Sequence, residues 1–84
     1  MLSVKIRYFA GAVSAAGTAD EQLRLADECS VADILTQLSD RGNGALDRVL
    51  AASSFLLNGV AVRDRDMTVG DGAELDVLPP FAGG

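Results

Sequence analysis

The sequence predicts an α+β domain, a mixed five-stranded sheet with one main helix packed across it. Three observations point there. Apolar residues alternate with polar ones near both ends, from Leu2 to Tyr8 and from Ala73 to Val77. A capped amphipathic segment begins at Ser30. An Asn58-Gly59 pair stands between two short apolar runs, which is the strongest short hairpin signal in the chain.

Leu2, Val4, Ile6 and Tyr8 alternate with Ser3, Lys5, Arg7 and Phe9, and a period of two marks a half-buried strand. Ala10 to Asp20 is rich in small residues and punctuated by Gly11 and Gly17, so it reads as a loop with room for a short turn of helix. Glu21 to Asp27 alternates again, with Leu23 and Leu25 inward, and the first two strands form a hairpin with a long connection. Ser30 is a good N-cap, and Asp33 puts a carboxylate at the positive end of the helix dipole. Val31, Ile34, Leu35 and Leu38 recur on one helical face, and Gly42 beside Asn43-Gly44 stops the helix.

In Ala45 to Ala52, Leu46, Val49 and Leu50 share a face of a short second helix. Ser54 to Leu57 reads as a strand, and Asn58-Gly59 turns it into Val60-Ala61-Val62. Arg63 to Asp66 is a polar turn, and Met67 to Gly72 is a loop. Ala73, Leu75 and Val77 then alternate with Glu74, Asp76 and Leu78 in a last strand. The first and last strands alternate best, which places them in the centre of the sheet. The folded domain is expected over residues 1–78, with an extended tail over 79–84.

A chain of 84 residues buries only about 60–65% of its unfolded surface, so its core is thin. That favours a module acting through partners over a self-sufficient enzyme. The 49% hydrophobic content argues against disorder. No apolar run approaches the ~20 residues that span a bilayer, and Met1 to Lys5 lacks the layout of a signal peptide. The single Cys29 excludes an internal disulfide and fits a reducing cytosol, so a cytoplasmic location is expected. A net charge of −5 disfavours nucleic acid. Neither nucleic acid nor membrane is an expected partner.

Little chemistry is available inside the domain. There is no histidine, which removes the commonest general base and metal ligand. One cysteine does not make a thiolate zinc site, and neither a phosphate-binding loop nor a dinucleotide fingerprint is present. The chain itself is therefore expected to bind no cofactor. Cys29 precedes a helix start that would lower its pKa, but a small residue at a strand-to-helix junction is the simpler account. Asp27-Glu28 and Asp64/Asp66 read as solvated loop charges. Lys5 is the only lysine, so the chain offers one candidate acceptor for a modifier and looks more like a donor of its own C-terminus.

That terminus reads Pro79-Pro80-Phe81-Ala82-Gly83-Gly84. At about 7% glycine usage, two glycines at a given pair of positions arise by chance in roughly 0.5% of chains. Pro79 and Pro80 hold the backbone extended and stop the last strand from continuing its ladder. Gly83 and Gly84 lack a β-carbon and would pass through a narrow channel. Phe81 either anchors the tail in a partner or folds back on its own sheet. A carboxylate is a poor electrophile; an acyl-adenylate would supply a leaving group, and a sulfur nucleophile would then give a thiocarboxylate. Neither activity is encoded here, so partners would supply both and shelter the acyl end from water.

These residues resemble the family of molybdopterin synthase small subunits, ubiquitin-like sulfur carriers of β-grasp fold. The resemblance runs the full length. It rests on Val4-Lys5-Ile6-Arg7-Tyr8-Phe9-Ala10, on Ser30-Val31-Ala32-Asp33, on Asn58-Gly59, and above all on Gly70-Asp71-Gly72-Ala73-Glu74-Leu75 leading to Leu78-Pro79-Pro80-Phe81-Ala82-Gly83-Gly84. It implies that Gly84 is adenylated by a ubiquitin-activating-like adenylyltransferase that uses ATP and zinc. A sulfurtransferase relay then gives the thiocarboxylate. The tail would enter the large synthase subunit, in a two-plus-two heterotetramer, and donate sulfur to cyclic pyranopterin monophosphate. Catalysis would belong to the large subunit's pocket. By the same resemblance Gly83 fits the channel, and Phe81, Ala82, Pro79, Pro80 and apolar residues exposed on the nearby sheet meet the partner. Related carriers for cysteine, thiamine or tRNA thiolation, and ubiquitin-like modifiers, share the diglycine end. They remain alternatives.

Overall fold

The computed structural model describes residues 1–80. The chain runs β1 (Leu2–Tyr8), α1 (Gly11–Ala16), β2 (Asp20–Leu25), α2 (Val31–Ser39), α3 (Gly44–Ala52), β3 (Ser54–Leu57), β4 (Val60–Ala61) and β5 (Ala73–Leu78). The strands form one sheet in the order β2-β1-β5-β3-β4. β1 and β5 lie parallel, and the other neighbours are antiparallel. The first and last strands are thus adjacent in the sheet's interior, as their alternation predicts. With the helices packed on one face, this is the expected ubiquitin-like β-grasp.

The period-two pattern places the core. Val4, Ile6, Leu75 and Val77 are fully buried and join Val31, Ile34 and Leu38 of α2 and Leu46 of α3 in one apolar cluster. Each such side chain contributes about 1.5–3 kcal/mol by leaving water. A small domain has few of them, so each matters.

The start of α2 is closed on every side. Ser30 Oγ accepts from the Asp33 amide at 3.1 Å, and Asp33 Oδ2 accepts from the Ser30 amide at 2.8 Å. This reciprocal box satisfies two donors that a helix end leaves open. The amides of Val31 and Ala32 donate to the carbonyls of Met67 and Arg65, at 3.2 and 2.9 Å. The loop over residues 65–69 therefore straps the helix to the sheet through backbone bonds. Val69 adds an amide bond to the Cys29 carbonyl at 2.9 Å.

The short second helix expected over Ala45 to Ala52 is present as α3, and at nine residues it is as long as α2. Its cap is hidden in sequence because Asn43 sits in a Gly42-Asn43-Gly44 run that reads as a stop. In the fold Asn43 Oδ1 accepts from the Leu46 amide at 3.1 Å, while its Nδ2 donates to the Ala15 carbonyl at 2.8 Å. One side chain thus begins α3 and holds the end of α1.

The segment expected to be a loop carries α1, six residues long, entered through Ala10 at φ 51° and ψ −131°. That conformation suits glycine and costs a residue with a β-carbon about 1–3 kcal/mol. Ala10→Gly is therefore expected to stabilise the domain by about 1 kcal/mol after the added unfolded-state entropy, or about 4–8 °C in Tm. A calorimetric scan of the two chains checks this.

A second joint ties the end of α2 to the sheet. Tyr8 donates its hydroxyl to Glu21 Oε2 at 2.7 Å, and Arg41 donates to the same oxygen at 2.9 Å and to Oε1. Burial alone would raise the Glu21 pKa, but the hydrogen bonds from Arg41 and then Tyr8 outweigh it and lower the value. A lowered folded-state value means that this stability is present above the ordinary carboxylate pKa and is lost as pH falls through the folded one. Arg41 is 40% exposed, so solvent screening limits the ion pair's share. Glu21→Gln is expected to cost about 1 kcal/mol at neutral pH and to flatten the acid side of the stability profile below about pH 4. Urea titrations at stepped pH read both effects.

Candidate functional site

β5 lies at the centre of the sheet, and everything after Leu78 leaves from there. Its partners are Tyr8, which registers with Val77, and Ser54, which registers with Leu78. Phe9 donates its amide to the Val77 carbonyl at 3.3 Å, the last backbone bond on that side. Pro79 is half-buried and Pro80 exposed, and neither belongs to a strand. A proline has no N–H to give a neighbouring strand, so the ladder stops here. The chain leaves a rigid base at a defined point. Phe81, Ala82, Gly83 and Gly84 lie outside the described residues.

Two surfaces flank this exit. The first is the open face of the sheet. Arg7 on β1 registers with Asp76 on β5 and donates to both its carboxylate oxygens, Nε to Oδ1 at 2.7 Å and a terminal nitrogen to Oδ2 at 2.9 Å. Glu74 lies 3.6 Å from the same guanidinium. The Asp76 hydrogen bond, followed by the charges of Asp76 and Glu74, outweighs desolvation and raises the Arg7 pKa. Arg7 also stands 5.5 Å over the Phe9 ring. Asp76 is a buried charge on a solvent-facing strand position. Sequence alternation marks the position as outward and says nothing of a partner, because the β1–β5 register is a tertiary fact.

This face mixes charge with apolar surface. Phe9 is exposed, Leu56 and Leu78 are half-buried, and Lys5, Arg7 and Glu74 stand among them. The more exposed large apolar residues, Val60 and Met1, stand elsewhere, on β4 and at the N-terminus. A partner on the open face would therefore meet a mixed surface of ion pairs and half-covered apolar side chains.

The second surface is a groove of about 560 Å³ on the other side of the exit, between α1 and α3. Ala15, Ala45, Val49 and Ala52 supply its apolar walls, Arg48 lies along it, and Pro79 and Pro80 form one end. Nothing in the sequence alone announces this groove. It exists because α1 is a helix and because Asn43 holds that helix against α3.

Cys29 is buried beside the start of α2. Burial first, then the charges of Asp33 and Asp27, push its thiol up. Its burial fits a small packing residue at the strand-to-helix junction. Among the described residues no three His, Cys, Asp or Glu side chains cluster as a metal site. No described helix is long and apolar enough to cross a membrane.

Known proteins match along nearly the whole chain. The family model described as the ThiS family matches residues 6–84. A molybdopterin synthase sulfur carrier subunit of Chlamydomonas reinhardtii is 33% identical over 84 residues, covering 99% of this chain and all of that protein. Among solved structures, a Pyrococcus furiosus protein assigned as molybdopterin converting factor, subunit 1, superposes with a TM-score of 0.85 at 25% identity, over 96% of this chain and all of the other. Small archaeal modifier protein 1 of Methanosarcina acetivorans superposes with a TM-score of 0.82 at 29% identity, over all of this chain and 98% of the other.

The Arg7–Asp76 pair is expected to be asymmetric when broken. Arg7→Ala strands a buried carboxylate and should be the costlier of the two changes. Asp76→Ala frees a guanidinium that can turn to water and should cost about 1 kcal/mol. Chemical denaturation of the two variants compares them, and equal losses would contradict the stated burial.

Proposed function

Because the chain belongs to the ThiS family, we propose that it is the sulfur carrier subunit of a molybdopterin synthase and that the Gly84 carboxylate is its working group. The observation that carries this reading is the full-length identity to the algal sulfur carrier subunit. The Pro-Pro-x-x-Gly-Gly ending and the lack of histidine support it. Residues 1–78 serve as the rigid base and residues 79–84 as the arm. Pro79 and Pro80 direct the arm away from the sheet.

The chain presents its carboxylate to an adenylyltransferase, which attaches AMP from ATP and releases pyrophosphate. A sulfur donor then displaces AMP, and the terminus becomes a thiocarboxylate. Gly83 and Gly84 let the arm enter a narrow site, and Phe81 and Ala82 provide its apolar contacts. A large synthase subunit takes the loaded arm and supplies the catalytic pocket. The sulfur passes to cyclic pyranopterin monophosphate. The fold supports this division, because the parallel β1–β5 pair anchors the arm's root in the most buried part of the sheet.

A second reading has its own observation. The likeness to a protein named as a small archaeal modifier spans the whole chain. The same activated terminus would then be joined to a protein amine. The two readings part on product. Co-production with an activating enzyme and its sulfur donor is expected to yield a chain with one oxygen replaced by sulfur at Gly84, seen by intact-mass spectrometry. High-mass conjugates ending in Gly84, without any thiocarboxylate, would favour the modifier. Removing Gly84 should abolish either product and leave Tm unchanged, because the last strand ends six residues earlier, at Leu78.

A further inference from the structure

We propose that the groove between α1 and α3 is a resting dock for the chain's own last four residues, Phe81 to Gly84, with the Gly84 carboxylate beside the Arg48 guanidinium. The dock does not depend on what cargo the terminus carries.

Position is the first argument. The groove begins where the described chain ends, with Pro79 and Pro80 at its mouth. Ser54 registers with Leu78, so the C-terminal end of α3 stands at the tail's root and its N-terminal turn at the far end. α1 runs the opposite way, since Gly11 lines the groove and Asn43 reaches Ala15 at the far end. Four extended residues reach about 13–14 Å. The helical distance from Ala52 to Ala45 is about 10 Å. The tail is long enough to run the length of the groove and too short to wander far from it.

Chemistry is the second argument. The walls are mostly alanine and valine methyls, which suit the one large apolar residue of the tail, Phe81. Ala82, Gly83 and Gly84 are slim enough to continue beneath the stem of Arg48. Arg48 leans back along α3, with a guanidinium nitrogen 3.5 Å from where a Gly44 β-carbon would stand. It is exposed and makes no ion pair among the described residues. A carboxylate placed there also meets the positive half of the α3 dipole. Docking would cover the terminal carboxylate until a partner draws the arm out.

The test is solution NMR of the free, full-length chain at low concentration. Cross-peaks from the Phe81 ring to Ala52 and Val49 methyls are expected. Arg48→Ala, and separately a C-terminal amide in place of the carboxylate, should each lower the docked-to-free ratio about two- to fivefold, the range for an exposed ion pair. The amide leaves every folded residue intact, so its effect is separate from any effect on folding. The proposal is overturned by Phe81 contacts to Phe9, Leu56 or Leu78 on the open face, or by no contacts at all. Groove contacts that vanish on dilution overturn it too, since they would come from a second copy. A docked tail in a chain that never accepts sulfur would sink the carrier reading and leave the dock standing.

Discussion

The parallel pairing of β1 with β5 requires the two ends of the domain to meet side by side in the middle of one sheet, and most other features follow from that meeting. A parallel pair cannot be closed by a tight turn. The intervening chain must cross over, and α2, α3 and the β3–β4 hairpin lie within that crossover. The apolar faces of α2 and α3 cover the inner side of β1 and β5, where Val4, Ile6, Leu75 and Val77 lose all contact with water. Because both central strands run the same way, the last residues of β5 emerge beside the end of β1. Leu78, and the prolines that follow it, are thus rooted in the most buried pair of strands.

The joints around that pair are mainly polar and local. Asp76 is tolerated in a buried position because Arg7, one strand away in the same register, meets both of its oxygens. Tyr8, Glu21 and Arg41 join β1, β2 and the end of α2. Asn43 joins α1 to α3. Asp76 is the buried member of these joints, and leaving a buried group unpaired costs more than the bond itself contributes. The small apolar core sets the fold's stability, and these bonds set the relative positions of its parts.

The exit of the tail separates two surfaces of different character. On the open face, ion pairs and half-buried apolar residues stand together, and any partner there must match both. On the helix side the groove is apolar with one cation along it. Ala10 lies at the boundary, in a backbone conformation better suited to glycine. It turns the chain from β1 into α1, and without that turn the groove would have only one wall.

Much of this was legible in sequence. Alternation in Leu2 to Tyr8 and Ala73 to Val77 marks both central strands, since one buried face imposes a period of two. Ser30 with Asp33 marks the start of α2, and Asn58-Gly59 marks the hairpin, because caps and tight turns are decided by neighbouring residues alone. The terminal diglycine and its preceding prolines mark the candidate working end, whose last four residues lie outside the described residues. The tertiary structure decided the rest. It gave the helical turn allowed for in the first loop the length of α1, set α1 against α3, brought Arg7 to Asp76, and opened a groove beside the exit. Those outcomes depend on strand register and on helix-to-helix contacts between residues far apart in the chain, and local composition carries no record of either.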